Sequence, residues 1–190
     1  MDNLLKIVNY LGKNLRDSFT MNELSKATKI PYATFYRTVF KNKNLFKIIS
    51  VGQAKVMSLN LNNIIKSFLI ISSDKEKNEF LKKHPIINKI VLELKTNECV
   101  VLFGSYAKGS ENKNSDIDMM IINKQGEKTI SFSKYEILFD KKINPIFVTK
   151  KEFVEMLNQS EENVGKQVLK GHIILNNPEF FWECVLSGRM

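Results

Sequence analysis

The chain has 190 residues, 43% hydrophobic and 26% charged, with a net charge of +9, a balance that supports packed cores and argues against a disordered or fibrous polypeptide. No apolar run reaches the roughly 18 residues that a membrane-spanning helix needs, and the opening Met1-Asp-Asn-Leu-Leu-Lys6 has no basic leader before an apolar stretch, so a cytoplasmic protein with no membrane partner is expected. Cys99 and Cys184 are widely spaced in apolar surroundings and only two histidines are present, His84 and His172, which argues for buried free thiols and against a disulfide framework or a zinc centre.

The basic charge is concentrated at one end. Residues 1–60 carry 10 Lys and Arg against 3 Asp and Glu, residues 61–98 carry 7 against 5, and residues 99–190 carry 12 of each. A polyanionic partner is therefore expected for the first third, beside the plainer reading of a solvated basic surface. Leu4, Val8, Leu11 and Leu15 recur at helical spacing and predict a first helix ending near Asp17-Ser18. Thr20-Met-Asn-Glu23 has the pattern of a capping box and opens a second helix. Pro31 suits the first position of a third helix, with Phe35 and Val39 as its buried stripe. Leu45–Ile49 and Ala54–Leu59, separated by a turn around Val51-Gly52-Gln53, read as a β-hairpin.

Three helices followed by a hairpin resemble a winged helix-turn-helix domain over residues 1–60. The resemblance implies that the third helix reads DNA, in preference to RNA, and that the hairpin grips the flanking backbone. With Phe35 and Val39 turned inward, Tyr32, Thr34, Tyr36, Arg37 and Lys41 would meet the DNA, and Lys43, Lys47 and Lys55 would add phosphate contacts. Such a domain also serves for dimerisation or protein docking in other settings, so a homodimer stays open. Residues 61–84 form a helical connector closed by His84-Pro85, and Ile86, Ile87, Ile90, Val91 and Leu94 predict a helix before a strand at Cys99–Phe103.

That strand runs into Gly104-Ser105 and a short helix, a junction that aims backbone N–H groups and a hydroxyl beyond the strand end, where phosphate is favoured. Gly104 and Gly109 have Walker A spacing, but Ser110 stands where that motif needs Lys, so it is not a P-loop. Asp116-Ile-Asp118 follows; alternation puts both carboxylates on one strand face, roughly 6.6 Å apart along it, able to converge on a cation. Leu102-Phe-Gly-Ser-Tyr-Ala-Lys-Gly109 and Ser115-Asp-Ile-Asp-Met-Met120 together resemble the DNA polymerase β nucleotidyltransferase superfamily in its minimal branch.

The resemblance implies that Gly104, Ser105 and Lys108 hold a nucleoside triphosphate, with Tyr106 nearby, and that Asp116 and Asp118 are catalytic and bind Mg²⁺ or Mn²⁺. It also implies a third carboxylate on a later strand. The matching run, Lys142-Ile-Asn-Pro-Ile-Phe-Val-Thr149, places Asn144 there, and a neutral amide takes up no proton and holds a cation less well than a carboxylate. Asp140 and Glu152 are the candidate substitutes. Helices at Lys150–Leu157, Glu161–Lys170 and Pro178–Leu186 and a strand at His172–Leu175 complete the reading.

The expected fold is α+β: a winged helix-turn-helix domain (1–60), a helical connector (61–84) and a nucleotidyltransferase-like α/β domain (85–190), with a small mixed sheet flanked by helices. The expected function is transfer of a nucleoside monophosphate from an NTP to an acceptor, by a DNA-binding protein. The alternative is a weak or inactive transferase fold serving as a transcriptional regulator or antitoxin-like module. A small-molecule transferase of the resistance type is a weaker third reading, since it has no use for a basic DNA-binding domain.

Overall fold

Helix α1 (Asn3–Lys13) begins where the Asp2 carboxylate accepts the Leu5 N–H at 2.9 Å, relieving one of the orphan donors of a first turn. It ends at Asn14, whose Nδ2 donates to Tyr10 O at 2.8 Å, three residues before the expected end; the side-chain amide takes over a carbonyl from the backbone ladder and stops it. In this computed structural model, which describes residues 1–187, the chain divides into two compact units, Met1–Lys75 and Glu76 onward.

In the first unit a two-residue strand, β1 (Phe19–Thr20), leads into α2 (Met21–Ala27). The expected capping box is closed in both directions: Glu23 N–H donates to Thr20 Oγ1 at 3.2 Å, and Thr20 N–H donates to Glu23 Oε2 at 2.7 Å. The turn into α3 (Tyr32–Lys41) uses a left-handed Lys29 and is fastened by Ser25 Oγ donating to Ile30 O at 2.7 Å. Pro31 has an extended ψ of 135° and caps α3 instead of opening it, so the helix starts one residue later than expected. After a turn of 3-10 helix (Lys43–Leu45), strands β2 (Phe46–Val51) and β3 (Ala54–Leu59) pair antiparallel, from Phe46 opposite Leu59 to Val51 opposite Ala54. β1 joins β3 through Phe19 opposite Met57, giving the order β1-β3-β2. Ile7, Val8, Leu24, Phe35, Val39 and Met57 are fully buried and form the centre of this unit.

The 19-residue helix α4 (Asn63–Leu81) carries the boundary between the units, and α5 (Pro85–Glu93) follows with Pro85 in its first turn. The second unit continues with β4 (Cys99–Phe103), α6 (Gly104–Lys108), β5 (Ile117–Asn123), α7 (Ser133–Phe139), β6 (Ile143–Thr149), α8 (Lys150–Asn158), α9 (Val164–Lys170), β7 (Ile173–Asn176) and α10 (Pro178–Leu186). Helix α9 begins three residues later than the expected Glu161, because Asn163 caps it by accepting the Lys166 N–H. The sheet order is β6-β5-β4-β7, with β5 and β6 parallel and the other pairs antiparallel. It is a mixed sheet flanked by helices. Strand β4 is buried along its whole length, as a strand covered on both faces must be. Val100 and Leu102 belong to the cluster containing Ile87, Ile90, Tyr106 and Tyr135, while α8, α9 and α10 pack on the sheet and bring in Phe153, Phe181 and Trp182. Cys99 and Cys184 are buried free thiols, and burial pushes both up, Cys184 to about 11. Among the described residues no helix is long and apolar enough to cross a membrane.

Candidate active site

Sheet register assembles the site. Antiparallel pairing of β4 with β5 sets Phe103 opposite Asp118, and parallel pairing of β5 with β6 sets Asp118 opposite Asn144. The end of one strand and the beginnings of two others therefore meet. Asp116 immediately precedes β5, where Ile117 N–H donates to Lys142 O at 2.9 Å and holds the entry of the strand against β6.

The two carboxylates share a single amide. Asn144 Nδ2 donates to Asp116 Oδ2 at 3.1 Å and to Asp118 Oδ1 at 3.2 Å, and Lys142 Nζ lies 3.6 Å from Asp116 Oδ2. Two like charges on one strand face repel, and here the amide dipole and the lysine offset that repulsion. The opposite amide orientation would aim a third oxygen at the pair, an arrangement that only a cation between them would relieve.

Gly104 sits against this cluster. Its φ of +71° lies in the left-handed region, and a Cβ there would fall 2.2 Å from Asp118 Oδ2. Both facts demand glycine: the turn from strand to helix needs the positive φ, and the Asp118 carboxylate occupies the space of a side chain. Ser105 follows, half-buried in the first turn of α6, and accepts the Ser110 N–H through its carbonyl at 3.0 Å.

The remaining expected residues are dispersed. Tyr106 is buried in the core with its ring edge toward His84 at 6.3 Å, so it packs instead of facing the carboxylates. Lys108 is exposed at the far end of α6, its stem beside Gly171. Asp140 is the exposed, left-handed C-cap of α7, with no hydrogen bond or ion pair to either aspartate. Glu152 closes the capping box of α8, accepting from Thr149 N–H at 2.7 Å and Thr149 Oγ1 at 2.8 Å, and the backbone N–H draws its carboxyl below the usual range. From Asn144 to Thr149 the strand advances roughly 16 Å, so Glu152 belongs to the other end of β6. Neither substitute acid supplies the missing carboxylate.

The structure adds residues that spacing did not single out. Lys142 is one. His84 and Glu111 are another pair: Nε2 lies 3.0 Å from Glu111 Oε1 and Nδ1 lies 2.9 Å from Phe80 O, with the ring stacked on Phe80 at 3.8 Å. The ring is thereby held between the Phe80 carbonyl and the Glu111 carboxylate. Glu111 is held below the usual carboxylate range by its own backbone N–H and then by His84. The pair fastens the loop between Ser105 and Asp116.

Among the described residues, no three His, Cys, Asp or Glu side chains gather as a metal-binding set. Two carboxylates on one face, with an amide oxygen available by rotation of Asn144, still form a hard oxygen donor set that fits Mg²⁺. A cavity of about 400 Å³ lies elsewhere, lined by Asn97, Cys99, Asn123 and Phe180 at the opposite ends of β4 and β5.

In the first unit Tyr32, Thr34, Tyr36, Arg37, Lys41, Lys43 and Lys47 are exposed, while Phe35 and Val39 are buried. Lys55, expected to meet phosphate, lies over the rings of Tyr36 and Phe40.

Residues 78–180, more than half of the chain, match the family described as polymerase beta, nucleotidyltransferase. A candidate protein adenylyltransferase of Methanocaldococcus jannaschii is 36% identical over 76 residues, covering 36% of this chain and 76% of its own. No solved structure matches significantly. The matched span contains the Gly104-Ser105 turn, Asp116, Asp118 and the β6 strand that brings in Asn144, and the chain accordingly belongs to the polymerase beta nucleotidyltransferase family.

Proposed function

We propose that the protein transfers a nucleoside monophosphate from an NTP to a hydroxyl of an acceptor protein, in the cytoplasm. The observation that carries this reading is the Asp116–Asp118 pair set against a glycine whose missing side chain makes room for a carboxylate. Asp116 and Asp118 would hold Mg²⁺ or Mn²⁺, with Asn144 Oδ1 as a neutral third donor. When bound, the ion would supply charge neutralisation at the triphosphate. The backbone N–H groups of the Gly104-Ser105 turn and the Ser105 hydroxyl would orient the phosphates, and Lys108 would reach them only by swinging away from Gly171. The acceptor oxygen forms a bond to the α-phosphorus as the bond to the bridging oxygen breaks, and pyrophosphate leaves. Asn144 takes up no proton, so the hydroxyl proton passes to Asp116 or to water. A protein acceptor, and ATP as the donor, are supported by the name of the Methanocaldococcus relative.

In the same proposal residues 1–60 are a winged helix-turn-helix domain that binds DNA through Tyr32, Thr34, Tyr36, Arg37 and Lys41, with Lys43, Lys47 and Lys55 on phosphates. Residues 61–84 are its connector and 85–190 the transferase domain. The basic balance of residues 1–60 and the exposure of those side chains support it.

A second reading is favoured by one observation, the Asn144 amide donating to both acids: a transferase fold that binds nucleotide without turnover and regulates transcription. Incubation with each α-phosphate-labelled NTP, Mg²⁺ or Mn²⁺ and candidate acceptor proteins separates the two. Label transfer that Asp116→Ala/Asp118→Ala abolishes supports the enzyme. Nucleotide binding without transfer to any acceptor supports the regulator, and no nucleotide binding refutes both.

A further inference from the structure

Three aromatic rings stand in a row on the outer face of α3. Tyr32, Tyr36 and Phe40 recur every fourth residue, which puts them on one side of the helix, and they are 49%, 37% and 39% exposed. Tyr36 and Phe40 stack at 4.2 Å with 26° between their planes, and Tyr32 leans on Tyr36 at 6.3 Å. Lys55 Nζ, from β3, lies 5.7 Å and 5.4 Å from the Tyr36 and Phe40 centroids. The core is served by the fully buried Phe35 and Val39 on the adjoining stripe, while the three rings stay partly in solvent, so the ladder is not surplus interior. It is an apolar face held in water with a cation on it, the composition of a contact surface.

Charge identifies the kind of partner. Residues 1–75 carry 12 Lys and Arg against 4 Asp and Glu. Arg37 and Lys41 share α3 with the rings, and the acid on the neighbouring helix, Glu23, has its carboxylate occupied by the Thr20 capping box. A second copy of this face would bring the same positive charge and be repelled. A polyanion that also offers flat apolar rings suits it, and nucleic acid is both. A duplex hides the faces of its bases and shows only their edges in the grooves, whereas aromatic side chains standing off a surface stack on bases that are unpaired. Beside Tyr32 a cavity of about 360 Å³, lined by Thr20, Met21, Asn22 and the hairpin residues Gln53–Lys55, extends the same face.

We infer that the Tyr32–Tyr36–Phe40 ladder, with Lys55 over it, is a stacking platform for unpaired bases, so that the N-terminal unit binds single-stranded DNA more tightly than duplex. The inference rests on the nucleic-acid reading of this unit given above and narrows it. Each ring should stack on about one base, so removal of one ring should weaken single-strand binding roughly 5- to 150-fold.

The test is fluorescence anisotropy on the full chain, with a labelled 20-nucleotide strand free of self-complementarity, the duplex of the same sequence, and poly-glutamate as an acidic polypeptide. The expected result is a Kd for the strand at least tenfold below that for the duplex. Tyr36→Ala and Phe40→Ala should each raise the strand Kd by the factor above, and Phe40→Ala should leave the duplex Kd within about twofold, while Tyr36→Phe retains binding. Both rings are exposed, so thermal melts of the variants should match that of the parent chain. Tighter binding to duplex, or strand affinity indifferent to the rings, overturns the inference and leaves the DNA reading standing. Failure to bind either form overturns both, and ring-dependent capture of poly-glutamate alone assigns the face to an acidic protein.

Discussion

Replacing Asn144 by Asp should lower the stability of the second unit without a divalent cation and make that stability more responsive to one. In the parent chain the amide donates to Asp116 at 3.1 Å and to Asp118 at 3.2 Å. The substitution removes both donors, each worth about 1.5–3 kcal/mol when the acceptor is charged, and sets a third carboxylate beside the pair. At about 3.2 Å, like charges repel by roughly 1 kcal/mol in water-like surroundings and by several times that in a protein surface of lower dielectric. Asp116 is 40% exposed, so screening reduces both contributions, and a net loss of about 2–4 kcal/mol is reasonable in EDTA. For a unit of this size that is a fall of roughly 8–16 °C in Tm. With 10 mM MgCl₂ the same third acid completes a harder donor set, and the variant should recover and gain more from the ion than the parent chain does. Differential scanning calorimetry of both proteins, with EDTA and with MgCl₂, reads the effect. A variant as stable as the parent in EDTA, or one that gains no more from Mg²⁺, would refute the reasoning that the amide substitutes for positive charge.

Four further outcomes are expected. Gly104→Ala places a Cβ on Asp118 Oδ2 and forces a side chain into left-handed backbone costing about 1–2 kcal/mol, so calorimetry should show a lower Tm and titration with NTP a weaker Kd. Arg37→Ala/Lys41→Ala should flatten the dependence of log K on log salt for DNA by about 1.4–1.8, measured by anisotropy in a KCl series. Phe35→Ala, at a fully buried position, should cost the first unit about 3–5 kcal/mol in urea titration. Glu93 is drawn down to about 2 by hydrogen bonds from Lys89 and then Lys134, so it is ionised in the folded state at pH values where the unfolded chain is protonated. Its stabilisation is present above about pH 4.5 and is lost as pH falls toward 2, and the Tm difference between the parent and Glu93→Gln should close across that interval.

Much of the fold was readable because local rules and tertiary packing agree. The Thr20 capping box, the α3 stripe of Phe35 and Val39, the fully apolar β4 and the Gly-Ser junction each follow from short-range spacing that the core then rewards. What escaped notice depends on the sheet or on exposure. β1 is two residues long and has no period to detect; it exists because Phe19 and Thr20 find β3. Helix α7 was missed because Ile137 and Leu138 are exposed, at 84% and 62%, so its apolar residues trace no inward stripe. The rank of Asn144 as the counterpart of a third acid was legible, but its grip on both aspartates comes from the parallel register of β5 and β6. Phe40, one position after buried Val39, falls outside the core spacing, and its exposure and the stacking of its ring on Tyr36 come from the structure.

The register of β4 against β5 has a consequence for the loop between Ser105 and Asp116. Phe103 faces Asp118 through the sheet, so the alignment of the glycine turn with the acids is set by strand pairing and owes nothing to the length of chain that joins them. Asn112, Lys113 and Asn114 are exposed, beyond the His84–Glu111 tie. That tip can be lengthened, exchanged or tagged while the glycine turn and the two aspartates behind it stay in register.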